Sequence, residues 1–130
     1  MELAEDMYKE ELLEHYKKPQ NYGKIRNCDA KYHDFNPVCG DEIEVYIKIR
    51  NGSVKDIKFT GKGCAISQAA ASIATESVKG KKVEEVKGIS NESMLQLLPI
   101  KVSNLRVKCA LLALKAIQKA IIKYEGTKLQ

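Results

Sequence analysis

Glu42-Ile43-Glu44-Val45-Tyr46-Ile47-Lys48-Ile49-Arg50-Asn51-Gly52-Ser53-Val54 is the stretch that decides the fold. Ile43, Val45, Ile47 and Ile49 alternate with Glu42, Glu44, Tyr46 and Lys48, the period-two pattern of a strand with one buried face. Asn51-Gly52 follows, and both residues tolerate the positive φ that a two-residue hairpin turn demands. Val54, Ile57 and Phe59 then carry a return strand, although their spacing is not strictly alternate. Two strands alone are marginal in water, so a third is expected beside them over 31–35.

Working outward, the period changes from two to that of a helix. Leu3, Met7, Leu12, Leu13 and Tyr16 form an amphipathic stripe that ends at Pro19 and Gly23. Residues 67–78 are helical and rich in small side chains (Ala69, Ala70, Ala71, Ser72, Ala74), which permit close approach to a neighbouring helix, and Gly80 marks the stop. A short helix is expected over 92–98, halted before Pro99. The last helix is expected to start with Asn104 as N-cap and to bury Leu105, Cys109, Leu112, Ala113, Ala116, Ile117, Ala120 and Ile121. One helix, three strands, then helices only: this order predicts an α+β fold, a small three-stranded antiparallel sheet with helices packed on it, in one domain over 1–130.

Bulk properties exclude several classes. A chain of 130 residues with 44% hydrophobic and 30% charged residues can bury a core without disulfide staples. No apolar run approaches the length of a membrane span, and the acidic start Met1-Glu2-Leu3-Ala4-Glu5-Asp6 is no signal peptide, so a cytoplasmic protein is expected. In that compartment four cysteines point to metal or sulfur chemistry rather than to a disulfide framework. The net charge of +5 is scattered among acidic residues, and no aromatic residue sits in a stacking motif. A nucleic-acid partner is not expected, whereas an acidic protein partner suits the balance.

Three of the cysteines sit in distinctive settings: Cys39 in Asn36-Pro37-Val38-Cys39-Gly40-Asp41, Cys64 in Gly61-Lys62-Gly63-Cys64-Ala65-Ile66-Ser67, and Cys109 in Arg106-Val107-Lys108-Cys109. With Asp41 they offer three thiolates and a carboxylate, a set that suits zinc or iron. All three fall at loop ends or helix starts, which can converge at one end of a sheet. A helix start next to Arg106 and Lys108 is expected to lower the pKa of Cys109, with Cys64 sharing the effect. Cys28, in Arg26-Asn27-Cys28-Asp29, lies in no such setting. His15 belongs to the first helix and His33 to the first strand, so neither is expected to bind metal.

At these residues the chain resembles the IscU family of iron–sulfur cluster assembly scaffolds, also found as the N-terminal module of NifU proteins. The resemblance extends from His15-Tyr16-Lys17-Lys18-Pro19-Gln20-Asn21-Tyr22-Gly23 through Asn36–Asp41 and Gly63–Ser67 to Cys109. It implies a scaffold that takes persulfide sulfur from a cysteine desulfurase, builds a 2Fe–2S cluster and hands it to apo-protein clients. Cys39, Asp41, Cys64 and Cys109 would hold the cluster or its iron, with Asp41 the labile ligand. Cys109 or Cys64 would accept the persulfide, Cys109 being preferred for its cationic neighbours.

Two departures shape that expectation. Where common scaffolds place a histidine before the third cysteine, this chain has Lys108, as in the SufU branch, whose members bind zinc and act mainly as sulfur acceptors. Yet the 45-residue step from Cys64 to Cys109 is too short for the SufU insertion. The alternative reading is accordingly a zinc-dependent sulfurtransferase that forms no cluster. A purely structural zinc domain is disfavoured because no Cys-x-x-Cys pair is present. The string recognised by a dedicated Hsp70-type chaperone has only a displaced counterpart, Leu98-Pro99-Ile100-Lys101, which argues against dependence on that partner. A homo-oligomer is compatible with the sequence.

Overall fold

A computed structural model describes residues 2–128, with side chains from Lys9 onward. The order is α1 (Glu2–Lys17), β1 (Ala30–Asn36), β2 (Asp41–Arg50), β3 (Ser53–Lys62), α2 (Ala65–Val78), α3 (Val83–Lys87), α4 (Asn91–Gln96), a 3₁₀ turn (Asn104–Arg106) and α5 (Val107–Lys128). The sheet is antiparallel in the order β1-β2-β3. α5 packs across β1 and β2, α2 packs on β3 and α5, and α1 packs on α2.

The hairpin turns where its sequence says it must, with Asn51 at φ 53° and Gly52 at φ 74°. Beside the turn Lys48 pairs with Asp56 but Ile49 pairs with Val54, so Lys55 is an extra residue in β3. This bulge explains the uneven spacing of Val54 and Ile57: one inserted residue lets both face the core. Val54, Ile57 and Phe59 are fully buried, as are Ile43, Val45 and Ile47. Each such side chain contributes about 1.5–3 kcal/mol relative to exposure.

α2 is the helix of small residues, and Ala69, Ala70, Ala71 and Ala74 are fully buried between its neighbours. Ser72 Oγ accepts the Gln20 amide (2.8 Å) and meets His15 Nδ1 (2.8 Å), so His15 fastens α1 to α2. Asn21, at φ 63°, donates from Nδ2 to Thr75 Oγ1 (3.1 Å) and to Glu76 Oε2 (3.0 Å).

Four expectations are corrected. Leu12 is buried, but Leu13 and Tyr16 are 41% and 43% exposed; among the described residues α1 packs chiefly on α2. (Leu3 and Met7 lie outside the residues whose side chains are described.) Tyr46, expected outside, is buried on the other face of the sheet, with Lys31 Nζ 5.7 Å from its ring centroid and its hydroxyl donating to Glu44 Oε1 (2.7 Å). α5 begins at Val107 instead of following an Asn104 cap, and Leu105 is 88% exposed. The tighter 3₁₀ turn takes Leu105 out of register with the apolar stripe of α5. α3 was not expected from the sequence; its five residues bury only Val83 and Val86.

Candidate metal centre

The loop between β1 and β2 is shaped by Asn36. Its carbonyl accepts the Gly40 amide (2.8 Å), and its Oδ1 accepts the Val38 amide (3.1 Å). Gly40 adopts φ 74°, which reverses the chain and leaves Cys39 exposed at the loop. Asp41 then opens β2 opposite Asn36, with no exposed surface.

A buried carboxylate needs donors, and the end of β3 supplies one. The Cys64 amide donates to Asp41 Oδ1 (2.8 Å), and the Cys64 thiol reaches Oδ2 at 3.8 Å. Gly63 makes this crossing sterically feasible. A Cβ at that position would overlap Asp41 Oδ1 and lie 2.9 Å from Asp41 Cα. Cys64 is also the N-cap of α2: its sulfur accepts the Ser67 amide (3.4 Å), and Ser67 Oγ donates back to the Cys64 carbonyl (3.1 Å). Serine, threonine, aspartate or asparagine is the usual choice for this position.

Cys109, three residues into α5, is buried, and its thiol donates to Cys39 Sγ at 3.3 Å. Cys39, Asp41 and Cys109 form one potential ligand group, their donor atoms all within 4.8 Å of one another. Cys64 stands just outside this group and touches it through the Asp41 carboxylate. The sequence-predicted quartet thus reaches one end of the sheet as a triad plus a neighbour.

The electrostatics of Cys109 are opposite to the expected lowering. Burial raises its pKa most, followed by the hydrogen bonds with Asp41 and Cys39 and the negative charge on Cys64 and Asp41. The physical reason is placement: the thiol lies inside the body next to other acids, where desolvation outweighs the helix end. The neighbouring cation is Arg106, whose pKa is raised by hydrogen bonding to Cys109 and then by the charges of Cys64 and Cys109. Lys108, paired with Arg106 in the sequence argument, instead lines an outer groove with Phe35, Pro37 and Val38.

His33 hydrogen-bonds Glu42 Oε1 (3.0 Å) on the exposed face of the sheet, and His15 is engaged by Ser72. Neither belongs to the ligand group, nor does Cys28. Three thiols and a carboxylate fit a borderline-soft metal or an iron–sulfur unit, and not an all-oxygen magnesium or calcium site. Around tetrahedral zinc, with Zn–S of 2.3 Å, neighbouring sulfurs stand about 3.8 Å apart. The Cys39–Cys109 pair, at 3.3 Å, needs only a small opening to meet that spacing.

The NifU-like N-terminal domain matches this chain over residues 7–130. The chain belongs to that family. Within the NifU-like N-terminal family, it is 37% identical over 118 residues to an iron–sulfur cluster assembly scaffold protein, IscU 1 of Archaeoglobus fulgidus, covering 91% of this chain and 76% of the relative. It is 34% identical over 126 residues to the Escherichia coli scaffold protein IscU, covering 92% and 94%. It is also 34% identical over 137 positions to the zinc-dependent sulfurtransferase SufU of Bacillus subtilis, covering 92% of both chains. That alignment is longer than the 130 residues of this chain, so SufU carries residues that are missing here.

The fold is shared with solved structures of the same group. A NifU-like N-terminal protein from Brucella abortus superposes with a TM-score of 0.78 at 23% identity, over 93% of this chain and 96% of that one. A SufU-type scaffold protein from Fervidobacterium islandicum gives 0.74 at 28% identity, over 86% and 94%.

Proposed function

We propose that this protein is an iron–sulfur cluster assembly scaffold, receiving sulfur from a cysteine desulfurase, building a 2Fe–2S cluster and passing it to apo-protein clients. The observation that carries the reading is the convergence of Cys39, Asp41 and Cys109 within 4.8 Å, with Cys64 leaning on the same carboxylate. Cys39, Asp41, Cys64 and Cys109 hold the iron. The cluster is cargo, and the donor set suits cargo: three thiolates grip iron, and one carboxylate oxygen is a harder, more exchangeable ligand. Arg106 offsets the charge that accumulates as the thiols ionise. The exposed apolar side chains of Phe35, Val38 and Leu105 flank the site and offer a face for the desulfurase.

The accessible sulfur acceptors are Cys39 and Cys64, because Cys109 is buried. Cys64 is partly exposed at the start of a fourteen-residue helix, where its sulfur accepts the Ser67 amide at 3.4 Å. This moves the assignment from Cys109 toward Cys64 for first receipt of sulfur, with Cys109 retained as a ligand.

Anaerobic reconstitution with iron, cysteine and a catalytic amount of desulfurase tests the reading. A brown protein with sulfur-to-iron charge-transfer bands and about two irons per cluster is expected. The second reading, a zinc-dependent sulfurtransferase, is favoured by Lys108 and by the likeness to SufU. It replaces the first if the protein stays colourless, keeps one tightly held zinc and accelerates the desulfurase. Asp41→Ala separates them again. A labile ligand predicts a longer-lived coloured cluster in the variant, whereas a zinc ligand predicts weaker zinc binding and weaker stimulation. A variant that cannot be loaded with a cluster at all removes Asp41 from the labile role.

A further inference from the structure

Cys39 and Cys109 are 70 residues apart in sequence, yet their sulfurs are in hydrogen-bond contact at 3.3 Å. Cys64 is held apart from this pair by Asp41 and the Ser67 amide. The site therefore contains a close pair of thiols and a separate thiol. We propose that the Cys39–Cys109 pair is a built-in two-electron reductant that converts sulfane sulfur to sulfide inside the site.

The step rests on the sulfur-acceptor reading above. A persulfide on either member of the pair has the other thiol beside its inner sulfur. Attack forms the Cys39–Cys109 disulfide and breaks the S–SH bond. The departing sulfur takes the electron pair of that bond and the proton of the attacking thiol, and leaves as hydrogen sulfide. The sulfane sulfur is reduced by two electrons, and each cysteine sulfur is oxidised by one. An external thiol or dithiol returns the pair to its starting state by ordinary exchange.

The surroundings suit each part of this step. A disulfide requires sulfurs about 2.05 Å apart, so an approach on the order of 1 Å closes the bond. Cys39 is the partner with room to approach: it is exposed, and its neighbour Gly40 has φ 74° with open space around its Cβ position. Sulfane sulfur on Cys64 has no thiol in contact and is retained there until it moves to the pair. A metal bound by both thiolates blocks the reaction, so sulfide release and metal loading compete for the same two sulfurs.

The full-length chain, stripped of metal under anaerobic conditions, is treated with inorganic polysulfide, desalted, alkylated while folded and mapped by non-reducing mass spectrometry. The wild type is expected to contain a Cys39–Cys109 cross-linked peptide and to have lost sulfane sulfur from the pair, with about one sulfide released per disulfide. Cys109→Ser retains the sulfane on Cys39, and Cys39→Ser forms no cross-link; circular dichroism verifies the fold of each. Zinc added before polysulfide suppresses the cross-link at least about tenfold. Stable sulfane on wild-type Cys39 with Cys109 still free to alkylate overturns the proposal, and so does a cross-link that contains Cys64. Because polysulfide supplies the sulfur chemically, a desulfurase that fails to load the chain would overturn the acceptor reading and leave this result standing.

Discussion

The two ends of the sheet are built on different principles. At the Asn51-Gly52 end, backbone answers backbone: the Val83 amide donates to the Gly52 carbonyl (2.9 Å), Val54 to Lys81 (2.8 Å) and Gly80 to Val54 (2.8 Å). At the other end, a buried carboxylate and three thiols face one another, with Arg106 as the neighbouring cation. The first end is satisfied by neutral groups in their folded positions. The second carries groups that repel one another once ionised, a cost that a bound cation removes. On the proposed function, stability belongs to one end and reactivity to the other, and substitutions should separate the two.

The largest effect is expected from Ile57→Ala. Ile57 is fully buried opposite Ile47, and truncation there costs about 2–5 kcal/mol. Denaturant unfolding of the metal-free chain should register that loss, while zinc affinity of the folded protein stays within about threefold, as expected for distant sites. A collapse of zinc affinity in the folded variant would show that the two ends are one mechanical unit.

Gly63→Ala is the converse substitution. The added methyl would overlap the Asp41 carboxylate, and the residue would keep a φ of 149° that side chains rarely adopt. A stability loss of about 1–3 kcal/mol is expected from backbone strain alone. Metal affinity should fall roughly 10–100-fold, as when the support of a ligand is removed. Isothermal titration with zinc checks this, and wild-type affinity would mean that Asp41 is not held where the metal binds.

The same contrast governs how much could be read from the sequence. Periodicity and turn chemistry report on backbone pairing, so the hairpin, its turn, the third strand and the small-residue helix were all legible. The uneven Val54–Ile57 spacing was also visible, although only the register shows that Lys55 is the bulged residue. At the site, the motifs pointed to four residues that the fold does gather at one end of the sheet, but the environment of each was not legible. Arg106 and Lys108 look alike as neighbours of Cys109, yet one faces the thiols and the other lines an outer groove. Burial, which reverses the expected pKa shift of Cys109, depends on what packs over the helix start, and a local stretch of sequence does not contain that.

Alkaline pH probes the reactive end on its own. The Cys109 pKa is raised above its ordinary value of 9.0 by burial and acidic neighbours. Below that value both folded and unfolded chains keep the proton, and the group contributes nothing to the pH dependence. Above it the unfolded chain releases the proton while the folded chain holds it, so stability of the metal-free protein falls as pH rises. Zinc binding removes the same proton, so zinc affinity climbs over the same range. Cys109→Ser should flatten the thiol part of the stability curve, measured as the wild-type minus variant difference in denaturation midpoint. An unchanged difference across this range would assign the slope to other groups.

The smallest expected effect is the sharpest test of the division. Cys64 caps α2 with sulfur 3.4 Å from the Ser67 amide, a weak acceptor at a position where oxygen is preferred. Cys64→Ser should place a better acceptor on that amide and stabilise the metal-free chain by about 0.5 kcal/mol, within the range of cap substitutions. The same change removes a thiolate and should weaken cluster or zinc binding. A thiol kept where serine would cap better is the signature of a position selected for chemistry at some cost in stability. Metal-free denaturation midpoints decide it: a midpoint that falls in Cys64→Ser would mean that the sulfur is part of the packing, and that the reactive end contributes to stability after all.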